Sequence, residues 1–187
     1  MSPGSVAITA LLILYPVLVY LGLSYSKVSA VAILLIVLSV GRLFVRRRGM
    51  DALGPATIWV SAGGILLAGA GLLRGSVESM LFYPTLVNLV LLIVFVHSLF
   101  YPPAVITRLA RIRVPELPPA GVRYTRKVTV VWSVFFLLNG SASIYTAIWT
   151  SAETWTLYNG LIAYLLIGAL FAGEWLVRAR VMKEKTN

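Results

Sequence analysis

Six stretches of about twenty apolar residues, in a chain of 187, leave this sequence few ways to fold. They run roughly 5–24, 28–46, 55–73, 79–100, 128–149 and 156–178. At 1.5 Å per residue, each is long enough to cross ~30 Å of hydrocarbon as a helix. Backbone polar groups in lipid must be satisfied within a helix or a closed barrel. The alternation of a barrel strand is absent, so helices are expected. Only 12% of the residues are charged, against about 25% in soluble domains. The expected fold is all-α: one polytopic transmembrane domain over 1–187, with about six spans. The start, MSPGSVAITALL, has no basic n-region and no clear cleavage site, so its first apolar stretch reads as a retained helix.

Charge placement gives an orientation. Arg42, Arg46, Arg47 and Arg48 follow the second stretch. Arg108, Arg111, Arg113, Arg123, Arg126 and Lys127 lie between the fourth and fifth, and Arg178, Arg180, Lys183 and Lys185 follow the sixth. Six spans put all three groups on one side, with Lys27 and Arg74 opposite. By the positive-inside rule, both termini are expected in the cytoplasm. The net charge of +10 is thereby explained as topology, and nucleic acid is not an expected partner. Trp149 and Trp155 flank the turn between the last two stretches, and Trp59, Trp132 and Trp175 lie near inner ends. All five are expected at membrane interfaces.

The longest connection runs from Tyr101 to Lys127. Pro102 and Pro103 should end the fourth helix. A short amphipathic segment follows, with Val105, Ile106, Leu109 and Ile112 on one face and Thr107, Arg108 and Arg111 on the other. Such a segment is expected to lie on the inner surface with its arginines toward anionic headgroups. Pro115, Pro118, Pro119 and Gly121 are expected to break it before the fifth helix. Arg108, Arg111, Tyr124 and Arg126 are the candidate contacts to lipid or a partner; a plain topology anchor is the alternative.

Polar residues at membrane depth are costly, so they face the bundle and find partners. Asn88 and Asn139 fall at matching depths in the fourth and fifth stretches, where they bond each other or share a small polar site. Asn159 lies in the sixth. Glu174 sits one turn before Arg178, an i, i+4 pair that stabilises a helix or forms a proton or cation site. Gly64 and Ala68 are spaced for close helix packing. Tyr15-Pro16 and Tyr83-Pro84 hint at a repeat.

Reactive constellations are missing. The chain has no cysteine, one aspartate and one histidine, His97. No metal motif, nucleophile elbow or phosphate loop is present. No catalytic residue, metal site or cofactor is expected.

The second half carries a resemblance. Pro102-Pro103 through Arg126, Val131-Trp132-Ser133-Val134-Phe135-Phe136-Leu137-Leu138-Asn139-Gly140, Ile144-Tyr145-Thr146-Ala147 and Trp155 resemble the intracellular septation protein A family of bacterial inner-membrane proteins. Tyr83-Pro84 with Asn88, Tyr158 to Tyr164, and Gly173-Glu174-Trp175-Leu176-Val177-Arg178 are more similar to a sister group. That group is encoded beside acyl carrier proteins, ketosynthases and acyltransferases for aryl polyene lipids. The resemblance implies a multi-pass protein of the bacterial inner membrane, concerned with envelope biogenesis or membrane homeostasis. Its expected role is a non-enzymatic scaffold or docking partner, with membrane lipids and envelope-biogenesis proteins as partners. The alternative is a small transporter or flippase for a lipid-linked product, acting as a homodimer.

Overall fold

The computed structural model describes residues 14–22, 27–44 and 54–183, the side chains of 42–44, 55 and 178–183 excepted. The described chain is helical with no strand: α1 (14–22), α2 (Val28–Phe44), α3 (Gly54–Arg74), α4 (Tyr83–Phe100), α5 (Val105–Arg111), α6 (Pro119–Trp149), α7 (Ala152–Leu157) and α8 (Ala163–Lys183). A 3-10 turn, Glu78–Phe82, leads into α4. A π-helical turn, Tyr158–Ile162, joins α7 to α8 without a break. Four of these helical stretches are long and apolar enough to cross a membrane: 56–74, 78–100, 119–149 and 152–177. A fifth apolar run, Val28–Gly41, is shorter.

Lipid is the surrounding that this surface requires. Leu73, Phe100, Leu66 and Leu138 are 91%, 76%, 73% and 64% exposed. From Tyr164 to Val177 no side chain is buried. Water would penalise apolar area on that scale, whereas hydrocarbon does not. The protein is a multi-pass helical membrane bundle.

The central pairing is α4 against α6. Along α6 the buried residues Thr125, Thr129, Trp132, Phe136, Asn139, Ser143 and Thr146 recur every four and three residues, the spacing of a coiled-coil seam. Phe95 meets Phe136 edge-on at 5.0 Å, Asn88 meets Asn139, and Thr85 meets Ser143. Numbers fall on one helix as they rise on the other, so the two run antiparallel. The second pairing is α2 against α3, where Gly64 and Ala68 are buried. A Cβ on Gly64 would lie 2.5 Å from Ser39 Oγ and 3.1 Å from the Tyr83 ring, so only glycine lets these helices approach. Tyr15 of α1 packs its ring 4.9 Å from that of Tyr83 and donates its hydroxyl to the Met80 carbonyl at 2.7 Å. The two Tyr-Pro steps thus lie side by side.

Three expectations need correction. First, the fifth expected helix starts not near 128 but at Pro119, the first residue of α6. Proline suits that position because its missing N–H is unpaired there anyway. At 31 residues, α6 is about 46 Å long and outruns the hydrocarbon. Second, α5 does not divide into the two expected faces: Val105 is buried with Ile106 and Leu109 packed on the same core, but Thr107 of the polar face is fully buried too, and Ile112 of the apolar face is 54% exposed. Third, Trp132 and Trp155 are buried in the bundle, while Trp59, Trp149 and Trp175 are exposed. Trp155 can be buried because its indole N–H donates to the Leu81 carbonyl at 3.2 Å.

Candidate functional site

The polar residues of the bundle form a connected seam. Asn88 sits in the middle of α4, where its amide donates to the Pro84 carbonyl of the preceding turn at 2.8 Å. Asn139, facing it on α6, donates to Asn88 Oδ1 at 3.0 Å. The Tyr158 hydroxyl then donates to Asn139 Oδ1 at 3.0 Å, carrying the chain of bonds from α4 through α6 to the π-helical turn.

One turn along α6, Ser143 is the second node. It accepts from Thr85 at 3.0 Å and donates to Asn159 Oδ1 at 2.8 Å. The Asn159 amide donates to Thr146 Oγ1 at 3.3 Å and to the Trp155 carbonyl at 3.0 Å. Asn88, Asn139, Ser143, Thr146 and Asn159 are all buried. Each polar atom named is matched within the bundle, which is what makes its burial in hydrocarbon tolerable. The π turn matters here: an inserted residue re-aims side chains on a helix, and it carries both Tyr158 and Asn159.

Beside this seam α6 and the C-terminal helix diverge. A gap of about 600 Å³ opens between them, walled by Leu138, Ala142, Leu166 and Leu170, with Asn139 and Tyr158 at its floor. Farther along the same two helices the Trp132 and Phe171 rings meet at 4.8 Å, and the Tyr124 hydroxyl donates to the Glu174 carbonyl at 3.3 Å.

A second cluster holds α5 against the start of α6. Thr107 and Thr125 hydroxyls bond at 2.7 Å, and the Ile106 N–H donates to Thr129 Oγ1 at 3.4 Å. The Val105 N–H donates to Ser98 Oγ at 3.0 Å. Because 106 pairs with 129 and 107 with 125, α5 runs back along α6 instead of lying apart on a surface. Arg108 is half-buried and engaged: its Nε–H donates to the Pro103 carbonyl at 2.7 Å and its Nη2 to that of Tyr101 at 3.4 Å. Arg111 and Arg126 are exposed.

The structure therefore bonds Asn88 to Asn139 in one cluster, sets Asn159 in a second cluster one turn along α6, and places Glu174 apart from both, at the α5 end. The Arg178 side chain lies outside the described residues, as do those of Arg42, Arg46, Arg47, Arg48, Arg180, Lys183 and Lys185. Sequence reasoning missed Tyr158, Ser143, Thr85 and Thr146. The four-and-three spacing along α6 was the available signal for Ser143 and Thr146. His97 is exposed and stacks on the Tyr101 ring at 4.5 Å. Among the described residues, no group of three His, Asp or Glu side chains is placed to hold a metal.

Fold and site together define a polytopic α-helical membrane protein with an internal hydrogen-bonded polar seam. Over 62 residues the chain is 36% identical to proteins named inner membrane-spanning protein YciB, from Erwinia tasmaniensis, Escherichia coli K12 and Citrobacter koseri. The match covers 32% of this chain and 35% of each relative, so the chain spans about a third of the length of the curated relatives it matches. No family model matches the chain, and no solved structure does.

Proposed function

We propose that this protein is an inner-membrane component of cell-envelope biogenesis or membrane homeostasis that acts as a non-enzymatic scaffold, both termini in the cytoplasm, and that it serves an aryl polyene pathway. The similarity to inner membrane-spanning proteins supports the location. The sequence motifs shared with the sister group support the pathway. One structural observation carries the scaffold role: the asparagines, serine and threonines of the seam bond to one another, joining α4, α6 and the π turn into one unit. Groups so engaged stiffen a bundle and are not poised to react.

The test is affinity purification from mild detergent. Wild-type protein is expected to retain acyl carrier or ketosynthase proteins of the pathway, or other envelope-biogenesis proteins. Recovery of none of these from a folded preparation would overturn the scaffold role. A transporter for a lipid-linked product is the second reading, favoured by the lipid-facing gap above Asn139 and Tyr158. It requires that Asn139→Leu abolish transport in proteoliposomes while the fold survives; unimpaired transport would end it.

A further inference from the structure

We propose that the junction of α5 and α6 is a docking surface for anionic phospholipid headgroups, built from Arg111, Arg113, Arg123, Arg126 and Lys127. It rests on the scaffold reading in one respect, that this end of the bundle faces the cytoplasm.

All five side chains are exposed, and none is engaged by another described residue. Arg108, in the same segment, is different: the carbonyls of Pro103 and Tyr101 hold its guanidinium. Between Tyr101 and Lys127 the single carboxylate is Glu116, so the surface is strongly positive. It is also fixed in place. The Thr107–Thr125 and Ser98–Val105 bonds lock α5 to α6 and to the end of α4, so the cations are held together and lose less conformational freedom on meeting a ligand.

Depth selects the ligand. The apolar part of α6 begins near Val128, and headgroups extend roughly 5–7 Å beyond the hydrocarbon on each side. At 1.5 Å per residue, Arg126 and Lys127 fall within ~3 Å of that boundary and Arg123 within ~8 Å. Arg126 and Lys127 fall at headgroup depth with Arg123 at its outer edge, where a soluble acidic protein would have to displace lipid to reach them. Arg111 and Arg113 lie where α5 runs toward the start of α6, with Ile112 exposed between them and Val114 exposed after them, an alternation suited to the interfacial region. Clusters of this kind bind anionic lipid by charge, and salt weakens them.

Native mass spectrometry of the purified protein, titrated with phosphatidylglycerol or phosphatidylcholine, tests this. Wild type is expected to retain phosphatidylglycerol in preference. Changing Arg111, Arg113, Arg123, Arg126 and Lys127 together to Gln should lower that preference by about tenfold or more. If that variant does not fold, the pair Arg126→Gln and Lys127→Gln should still lower it several-fold. Arg108→Gln should leave it unchanged. Equal retention of both lipids by wild type would overturn the proposal. So would an undiminished preference in a folded Gln variant, or a loss in Arg108→Gln as large as that in Arg111→Gln. Loss of lipid preference with envelope proteins still captured sinks this inference alone. Lipid preference with no protein captured sinks the scaffold reading alone.

Discussion

Asn139 donates its side-chain amide to Asn88 Oδ1 at 3.0 Å and so joins α6 to α4 near the middle of both helices. The bond lies where water cannot replace it. Asn139→Leu removes it, together with the acceptor used by Tyr158. Bonds of this type between membrane helices are worth about 0.6–2 kcal/mol, and the orphaned Asn88 oxygen adds to the loss. Reversible unfolding in mixed micelles should show Asn139→Leu less stable by about 1–2 kcal/mol. The cycle with Asn88→Leu should give a coupling above about 0.5 kcal/mol; strictly additive effects would mean that the two amides do not interact.

Thr107 is fully buried between α5 and α6, its hydroxyl 2.7 Å from that of Thr125. Thr107→Val keeps the shape and removes one partner. Thr125 retains bonds to the Gly121 and Val122 carbonyls at 3.0 Å, so the global cost should be only about 1 kcal/mol. The local effect should be larger, because the hydroxyl pair lies at the contact of α5 with α6. Limited trypsin digestion should cut the variant at Arg108 or Arg111 several-fold faster than wild type. Equal cleavage rates would show that the hydroxyl pair does not hold the segment.

Ser39 and Ser61 point the other way. Both are buried, at 0% and 1% exposure, and neither hydroxyl has a hydrogen-bond partner among the described residues. An unmet hydroxyl costs about 1–3 kcal/mol in such surroundings. Ser39→Ala should therefore raise stability by about 1 kcal/mol. A destabilised Ser39→Ala would point to a bond that the geometry does not show.

The helical membrane bundle and the asparagine pair were legible because hydrocarbon imposes simple rules: apolar length for a helix, and a partner for any polar group inside it. Asn88 and Asn139 could be paired from depth alone. Tyr158 could not, because its role here comes from a π turn that no residue pattern announced. The α5 segment misled for a related reason. Its apolar face suggested a helix lying on the surface. The hydroxyls of Thr107 and Thr125 satisfy each other, so a polar position could be buried, and Ile112, past the last turn of α5, was left out. The prolines misled because the same residue that ends one helix is well suited to begin the next, as Pro119 does.

Gly140 faces Asn88 across the seam, where an added Cβ would lie 3.1 Å from the Asn88 Cβ. That distance is tight yet open to adjustment by a small shift of α4. Gly140→Ala should cost about 1 kcal/mol, and Gly140→Val, which adds branched bulk, about 1–3 kcal/mol. Both should weaken the Asn88–Asn139 bond before they disturb α2 and α3, which pack through Gly64 instead. Hydrogen exchange should therefore rise in α4 and α6 around residues 88 and 139 and stay unchanged at the α2–α3 pairing. A uniform rise across all helices would show that the bundle responds as one unit and that the seam has no separate mechanical role.

The proposed orientation rests on the arginines around α5 and can be checked independently. Arg111, Arg113, Arg123 and Arg126 cluster at the end of the bundle where α4 meets α6, and the Ser151 cap of α7 lies at the other end, its hydroxyl accepting from the Thr154 N–H at 3.4 Å. Positive loops are retained in the cytoplasm. Alkaline phosphatase fused after Val114 should be inactive and a fluorescent protein fused there bright, with the reverse after Ser151. The order depends on charge as well as on hydropathy, so replacing Arg111, Arg113, Arg123 and Arg126 with Gln should yield a mixture of orientations. Phosphatase activity after Val114 in the wild-type chain would invert the map. The α5–α6 surface would then face away from the cytoplasm, and the headgroups assigned to it would belong to the opposite leaflet.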